Sequence, residues 1–262
     1  MNDPIDTPTP PLYHCDGPIA TITLNRAQHR NRLHDEDLQT LVRHVEAANR
    51  DTAVRVLVLA ARVLPHAPVF SAGFHLGSFG ADAGAAVDAF ARAADALASA
   101  RPLTVAALAG SVYGGATDLA LACDVRIGVH GLQWRVPAAT LGLHYYTSGL
   151  RRALATLGLN ATRRLFLRAQ TLTADELLAL GALDALVPAD ELDAAVQRCV
   201  TELLALAPLA VQGMKQTLNE MVCGEHRPAQ WRAREQGTHA SCDFAEGRAA
   251  ALERRLASFE GR

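Results

Sequence analysis

The sequence predicts an α/β fold in which a core of repeated strand–strand–helix units carries a helical C-terminal part. Short β-branched or continuously apolar segments alternate with segments of helical period up to about residue 147, and helical patterns dominate after it. The length of 262 residues, half of them hydrophobic, is enough for one large core with a helical appendage. We divide the chain into a flexible N-terminal leader (1–17), a core (18–200) and a C-terminal helical oligomerisation subdomain (201–262).

Five segments of the core have the pattern of β-strands. The first alternates and is rich in β-branched residues, and the next two are the continuous apolar runs typical of strands buried on both faces. The five are PIATITLN (18–25), VRVLVLAA (54–61), LTVAALAG (103–110), VRIGV (125–129) and LQWRV (132–136).

The helices are predicted from apolar spacing and from their end signals. The segment 34–50 has acids in its first turn and leucines and valines three or four residues apart. An alanine-rich segment near 84–99 stops before Pro102. Thr173 is followed three residues later by Glu176, the pattern of a capping box, and two further helices and a last one over about 243–257 follow.

Charge and composition exclude several classes of function. The formal net charge is −2 and Lys215 is the only lysine, so we expect no nucleic-acid or membrane partner and no phosphate-binding loop of the Walker type. Five scattered cysteines without a C-x-x-C pair, and an N-terminus without an apolar h-region, favour a reduced, cytoplasmic protein. The apolar stretch 103–123 is interrupted by Gly-Gly, Ser, Thr and Asp, which favours a buried strand–turn–helix over a membrane span.

In the segment YGGATDLALACD (113–124), Asp118 is the only charged residue of the apolar run from Leu103 to Cys123. A helix that begins after Gly114 and Gly115 leaves its first amides without intrahelical partners, and glycine allows a ligand to approach them. Asp118 is then either a capping acid in the first turn of a core helix or an ionisable group at a ligand site.

A second loop, FSAGFHLGSF (70–79), follows a predicted strand and also offers exposed amides around Ala72 and Gly73. Two such loops at the ends of neighbouring strands can bind one carbonyl oxygen between their N–H groups. That arrangement is an oxyanion hole, and an acid beside it is placed for proton transfer.

These motifs resemble the crotonase (enoyl-CoA hydratase/isomerase) superfamily. FSAGFHL is similar to its F-x-A-G-x-D-L signature and GSVYGGATDLALACDVRI to its G-x-x-x-G-G-G-x-E-L-A-L-x-C-D signature, while TITLNR, VPAATLGL and the C-terminal segment after Asp243 add further matches. The resemblance implies a crotonase-like ββα spiral core with a C-terminal helical subdomain, a homotrimer or dimer of trimers, and an acyl-CoA substrate. Coenzyme A enters as part of the thioester, with no permanently bound cofactor and no metal.

The resemblance also assigns roles to residues. The oxyanion-hole amides fall on Phe74 and Gly115, and the catalytic acid falls on Asp118, which would face the α and β carbons of the acyl group. The substrate-binding positions are Ala72, Gly73, His75, Leu76, Tyr113, Gly114, Ala138, His144 and Tyr145. Four arginines are candidates for the CoA phosphates, because guanidinium groups bind phosphate bidentately: Arg26, Arg32, Arg254 and Arg255.

Three departures from the family pattern bear on the reaction. Asp118 stands where hydratases have glutamate, so its carboxylate is set back by roughly 1 Å on ordinary bond lengths. Ala138 occupies the position of the second acid, and alanine transfers no proton. His75 replaces an aspartate, and the segment GLHYYTSG (142–149) places aromatic side chains where relatives have a glycine-rich turn. His144 and the tyrosines are then either pocket walls or replacement polar groups.

Four functions remain compatible with these residues. The first is an enoyl-CoA hydratase (a lyase) that stabilises a thioester enolate but has an incomplete acid pair. The second is an enoyl-CoA isomerase that uses a single base. The third is a C–C hydrolase or decarboxylase with the same oxyanion hole, and the fourth is a non-catalytic acyl-CoA-binding relative.

Overall fold

The computed structural model describes residues 8–75, 77 and 83–262. Ten strands lie within these ranges: β1 (Leu12–Asp16), β2 (Ile19–Leu24), β3 (Val56–Ala61), β4 (Val69–Ser71), β5 (Leu103–Leu108), β6 (Ser111–Tyr113), β7 (Val125–Val129), β8 (Gln133–Arg135), β9 (Leu172–Thr173) and β10 (Ala185–Val187). The helices of the same ranges are α1 (Asp35–Arg50), α2 (Ala83–Ala98), α3 (Ala116–Leu121), α4 (Thr147–Leu167), α5 (Ala174–Ala179), α6 (Leu192–Leu204), α7 (Pro208–Val222), α8 (Pro228–His239) and α9 (Cys242–Glu253).

The described strands form two sheets. The larger has the order β1-β2-β3-β5-β7-β10, in which only β1 is antiparallel to its neighbour, and the smaller has the order β4-β6-β8-β9. The central strands β3 and β5 are apolar except for Thr104 and nearly all buried, as expected for parallel strands covered on both faces. Helices α1, α2 and α6 contact this part of the fold and close the core.

The structure confirms the predicted α/β class and the helical character of the C-terminal part. The capping box at the start of α5 is also present: Glu176 N–H donates to Thr173 Oγ1 at 3.3 Å, and Thr173 N–H donates to Glu176 Oε2 at 2.9 Å. At the start of α1, the carboxylate of Asp37 accepts a hydrogen bond from His34 N–H at 2.8 Å. These local end signals are therefore reliable guides to where α1 and α5 begin.

Three sequence predictions need correction. Residues 12–16, which the sequence analysis places in the flexible leader, form the edge strand β1 and pair with β2; residues 1–7 of that leader lie outside the described residues. The chain does not turn directly from residue 110 into a helix, because Ser111–Tyr113 pairs with β4 and β8 in the smaller sheet. Helix α8 was missed because its sequence, PAQWRAREQGTH, has no apolar stripe to reveal it.

The pairing of β4 with β6 brings the two glycine-containing loops together. The strands are parallel, with Val69 opposite Ser111 and Ser71 opposite Val112. Parallel neighbours end at the same edge of a sheet, so the segments that follow β4 and β6 leave the sheet side by side. The first of these segments contains Gly73 and Phe74, and the second contains Gly114 and Gly115.

The described residues contain neither a single helix that could span a membrane nor a metal-binding cluster of side chains. No single helix there is long and apolar enough to cross a membrane, and one pair of helices, 189–204 and 208–222, meets the criterion only jointly and is bent by 103°. In the same residues no group of three or more His, Cys, Asp or Glu side chains is arranged to hold a metal ion.

Candidate active site

The two loops approach each other so closely that only glycine fits at their contact. Gly73 has φ +80° and Gly114 has φ +58°, which lie in the left-handed region that residues with a side chain rarely adopt. A Cβ atom added to Gly73 would lie 2.6 Å from the carbonyl oxygen of Tyr113 and 3.2 Å from the amide nitrogen of Gly115. The backbone of one loop is therefore in direct contact with the backbone of the other.

Hydrogen bonds to Leu33 fix the orientation of the first loop. Leu33 N–H donates to the carbonyl oxygen of Gly73 at 2.8 Å, and His75 N–H donates to the carbonyl oxygen of Leu33 at 2.9 Å. The peptide bond between Gly73 and Phe74 is trans, because the structure has no cis peptide bonds among the residues it describes. The Phe74 N–H consequently points away from Leu33, opposite to the Gly73 carbonyl.

In the second loop, Gly115 precedes the first residue of α3, and within the described part of the chain its N–H donates to no backbone carbonyl. Its glycine identity also has a packing reason, since a Cβ atom there would lie 2.7 Å from the ring of Phe90.

A cavity of about 320 Å³ lies against both loops. Its wall is mostly apolar, and none of the described residues that line it is Asp, Glu, Lys or Arg. The described lining residues are Ala72, Phe74, Ala86, Val87, Phe90, Gly114, Gly115, Val136, Pro137, Ala138, Leu141, Leu143, His144, Tyr145 and Tyr146. An apolar wall with a few polar groups at one end is the usual form of a small-molecule site.

The carboxylate of Asp118 is buried beside the cavity and is engaged by neighbouring side chains. Its side chain is 1% exposed and is absent from the described wall of the cavity. The carboxylate instead accepts a hydrogen bond from Tyr146 Oη at 2.5 Å and two from Arg152, from Nε at 2.8 Å and from Nη2 at 2.5 Å. The catalytic role of Asp118 stays a prediction, and the structure adds that Tyr146, which lines the cavity, and Arg152 both hydrogen-bond to the carboxylate.

Arg152 lies between two carboxylates from different helices. It pairs with the buried Asp118 of α3 and, at 2.6 Å from Nη1, with the half-exposed Asp95 of α2. Burial lowers the pKa of the Arg152 guanidinium, but its hydrogen bonds and attraction to Asp118 and Asp95 outweigh burial and raise the pKa above its ordinary value. The guanidinium is thus a permanent counter-ion to Asp118.

Two stacked tyrosines separate this ion pair from the cavity. The rings of Tyr145 and Tyr146 are 4.5 Å apart and inclined by 20°, and Gly149 makes room for them, since a Cβ atom there would lie 2.5 Å from Tyr145 Cε1. Burial, together with the nearby carboxylate of Asp118, raises the pKa of Tyr146 well above its ordinary value, so its hydroxyl stays protonated and donates to Asp118. The Tyr145 hydroxyl is buried and has no hydrogen-bond partner among the described residues.

The structure brings most of the remaining predicted substrate-binding residues to the cavity. Ala138 is on its wall with no carboxylate of its own, and His144 is an exposed residue at its edge. Three predicted residues are not on the described wall: Gly73 and Tyr113 form the contact behind it, and His75 packs its ring 4.7 Å from that of His34. Leu76 lies outside the described residues.

The four candidate arginines are not gathered at the cavity. Arg26 donates from Nε to both carboxylate oxygens of Asp37 at 3.0 Å, so its head group is already occupied. Arg32 is half-buried, and its Nε has no partner in the part of the chain that the structure describes. Arg254 is exposed just after α9, and Arg255 pairs with Glu246 and Glu253.

Sequence reasoning missed Arg152 as a member of the site and gave Tyr146 no definite role. Arg152 stands in LRRALATL, where its neighbour Arg151 offers the same charge and nothing in the pattern separates the two. The available signal was Asp118 itself, because a buried carboxylate needs a cationic partner. The sequence does not show which of the chain's arginines supplies it.

The chain is similar over most of its length to known proteins. A sequence profile of the family described as "Enoyl-CoA hydratase/isomerase" matches residues 15–262. The 2,3-dehydroadipyl-CoA hydratase of Escherichia coli is 30% identical over 250 residues, which is 93% of this chain and 96% of that protein. The short-chain-enoyl-CoA hydratase of Clostridium acetobutylicum is 25% identical over 78% of each chain.

Solved structures show the same relationship at the level of the fold. Enoyl-CoA hydratase subunit I of Geobacillus kaustophilus superposes with a TM-score of 0.86 and 26% identity, covering 97% of this chain and 99% of that one. The likeness extends over the sheets and the C-terminal helices and confirms the fold that the sequence motifs implied.

Proposed function

Because the chain belongs to the enoyl-CoA hydratase/isomerase family, a family of enzymes, we propose that it binds an acyl-CoA thioester and acts as an enoyl-CoA hydratase, a lyase, with an incomplete acid pair. The observation that carries this proposal is the contact between the loops of Gly73–Phe74 and Gly114–Gly115 at the wall of an apolar cavity. The names of the relatives from E. coli and C. acetobutylicum support the same substrate class.

In the proposed reaction the thioester carbonyl oxygen accepts hydrogen bonds from Phe74 N–H and Gly115 N–H. Addition of the oxygen of water to the β carbon of a 2-enoyl group shifts electrons toward the thioester oxygen, and one proton of the water passes to Asp118. The enolate collapses as this proton is delivered to the α carbon. Two backbone donors held by fixed loops stabilise the charge without reorganisation, and loss of one such donor typically costs about 10²–10³-fold in kcat. The apolar cavity wall strengthens this effect by excluding competing water.

Proton transfer is the weak part of this site. Ala138 lines the cavity at the position of the second acid, and the carboxylate of Asp118 is hydrogen-bonded to Tyr146 and Arg152. General acid–base catalysis contributes about 10²–10⁴-fold where the groups are in place. We therefore expect slow hydration of simple 2-enoyl-CoA substrates, with Asp118 as the acid–base residue.

Coenzyme A is part of the substrate in this proposal, and the protein holds no permanent cofactor. Arg32 is the candidate for phosphate contact whose Nε lacks a partner among the described residues, whereas Arg26 is paired with Asp37. The homotrimer or dimer of trimers expected from the resemblance is supported by exposed apolar side chains on α7, namely Met214, Leu218 and Met221. A cytoplasmic location completes the proposal.

A screen of thioesters tests this function. Saturated, 2-enoyl, 3-enoyl and β-keto acyl-CoAs are incubated with the protein in water labelled with heavy oxygen, and the products are weighed by mass spectrometry. Hydration adds one labelled oxygen, isomerisation adds none, and C–C hydrolysis or decarboxylation changes the carbon skeleton. The Asp118→Asn variant should lower hydration, and normal turnover by this variant would contradict the role given to Asp118.

A non-catalytic acyl-CoA-binding role is the second candidate. It is favoured by one observation, the lack of any carboxylate on the described wall of the cavity. Binding of thioesters in calorimetry without turnover of any member of the screen would select this function over the hydratase.

A further inference from the structure

We propose that Tyr146 limits hydration by occluding Asp118 from the acyl cavity. Its aromatic ring is the barrier, and Arg152 is a positioning residue that holds the carboxylate behind it. This inference rests on the proposed function and adds the residue that sets how much lyase activity the site expresses.

The ring of Tyr146 lies between the cavity and the carboxylate of Asp118. Tyr146 lines the cavity, whereas Asp118 does not appear on the described wall and is 1% exposed. The Tyr146 hydroxyl reaches Asp118 Oδ2 at 2.5 Å, so the tyrosine spans the distance between the cavity wall and the carboxylate. Water in the cavity therefore meets the ring before it meets the acid.

The ring is held in place from several sides. Tyr145 stacks on it at 4.5 Å, and Tyr145 itself packs edge-on against Phe166 at 4.9 Å. The absence of a side chain at Gly149 is needed for this packing, because a Cβ atom there would lie 2.8 Å from Tyr146 Cε2 and 3.1 Å from Asp118 Oδ2. The tyrosine pair and the acid thus form one packed unit at the start of α4.

Protein donors occupy most of the hydrogen-bonding capacity of the Asp118 carboxylate. Oδ1 accepts from Arg152 Nε, and Oδ2 accepts from both Tyr146 and Arg152 Nη2. Three of the roughly four lone-pair sites of the carboxylate are therefore occupied by protein donors. The remaining site on Oδ1 is also buried, because the whole residue is 1% exposed.

The test compares three variants with crotonyl-CoA as the probe. Tyr146→Ala removes the ring, Tyr146→Phe keeps the ring but removes the hydrogen bond to Asp118, and Tyr146→Ala combined with Asp118→Asn removes the acid that the first variant uncovers. Calorimetry gives the Kd of crotonyl-CoA for each protein, and loss of the conjugated thioester absorbance gives kcat.

We expect Tyr146→Ala to raise kcat at least about tenfold, which is less than the 10²–10⁴-fold that acid–base catalysis contributes where the groups are in place. The gain with Tyr146→Phe should be at least threefold smaller, and the gain should disappear in the double variant. If Tyr146→Ala does not fold, as judged by circular dichroism, Tyr146→Ser also removes the ring and takes the place of Tyr146→Ala in every comparison.

Three results would overturn the inference: no increase in kcat with a preserved Kd, an equal increase in Tyr146→Phe, or an increase that survives the Asp118→Asn replacement. Failure of the proposed function has a different signature. In that case neither the wild type nor any variant binds crotonyl-CoA or another thioester of the screen, and the inference fails with it.

Discussion

Removal of the Arg152 charge gives the strongest stability prediction of this structure. In an Arg152→Met variant the carboxylate of Asp118 stays 99% buried but keeps only the hydrogen bond from Tyr146, while its two bonds from the guanidinium are lost. Breaking a buried ion pair on one side typically costs about 3–5 kcal/mol, because a charge remains in the interior without compensation. Loss of the contact to the half-exposed Asp95 adds little, since surface ion pairs contribute about 0–1 kcal/mol.

The assay is urea unfolding at pH 7 with the protein concentration held fixed, because self-association would make apparent stability concentration-dependent. The matched control is Arg163→Met, in the part of α4 that follows its kink at Gly158; the Arg163 side chain is exposed and forms no ion pair with the described residues. We expect the control to change the free energy of unfolding by less than about 0.5 kcal/mol.

A double variant, Asp118→Asn with Arg152→Met, removes both charges and completes a thermodynamic cycle. The Asn side chain still accepts a hydrogen bond from Tyr146, so the double variant should be more stable than Arg152→Met alone, with a coupling energy within about 0.5–3 kcal/mol. A loss of about 1 kcal/mol or less in Arg152→Met, or strictly additive effects in the cycle, would refute the view that Arg152 neutralises a buried carboxylate.

Two further predictions concern the loop contact and the C-terminal helices. Gly73→Ala should destabilise the protein and weaken crotonyl-CoA binding, because its Cβ would lie 2.6 Å from a backbone carbonyl oxygen. Gly131→Ala is the control, since Gly131 has the same φ of +80° but a Cβ there would have no atom within 4 Å. Equal losses of stability for the two variants in urea unfolding would contradict the steric argument. Glu220 of α7 accepts hydrogen bonds from Arg234 of α8, and these outweigh burial and lower the pKa of Glu220 from 4.5 to about 2. The pKa of Glu220 is lower in the folded state than in the unfolded state, so the ionised carboxylate stabilises the fold. The stability lost in Glu220→Gln should therefore be constant above pH 4.5 and vanish as the pH falls toward 2. A pH-independent difference between the urea midpoints of the wild type and the variant would contradict this pairing.

The sequence by itself determined the fold class and the glycine positions of the two loops that contact each other. Continuous apolar runs at β3 and β5 and the capping box at Thr173 are local patterns, and local patterns depend on neighbours along the chain. Gly73 and Gly114 are also local signals, because a left-handed φ is a conformation of a single residue that glycine adopts readily. The segment Leu12–Asp16 was misjudged because an edge strand gains its stability from a partner, and five mostly exposed residues carry no apolar signature.

Only the tertiary structure decided which groups surround the carboxylate of Asp118. The motif at 113–124 locates Asp118 in the chain but contains no cation, and its partner Arg152 is 34 residues further on, on another helix. Whether a carboxylate faces a cavity or a guanidinium depends on how α3 and α4 pack and on the room left by Gly149. Neither is encoded in the spacing of a motif, because a buried charge is compensated by groups that meet only in three dimensions.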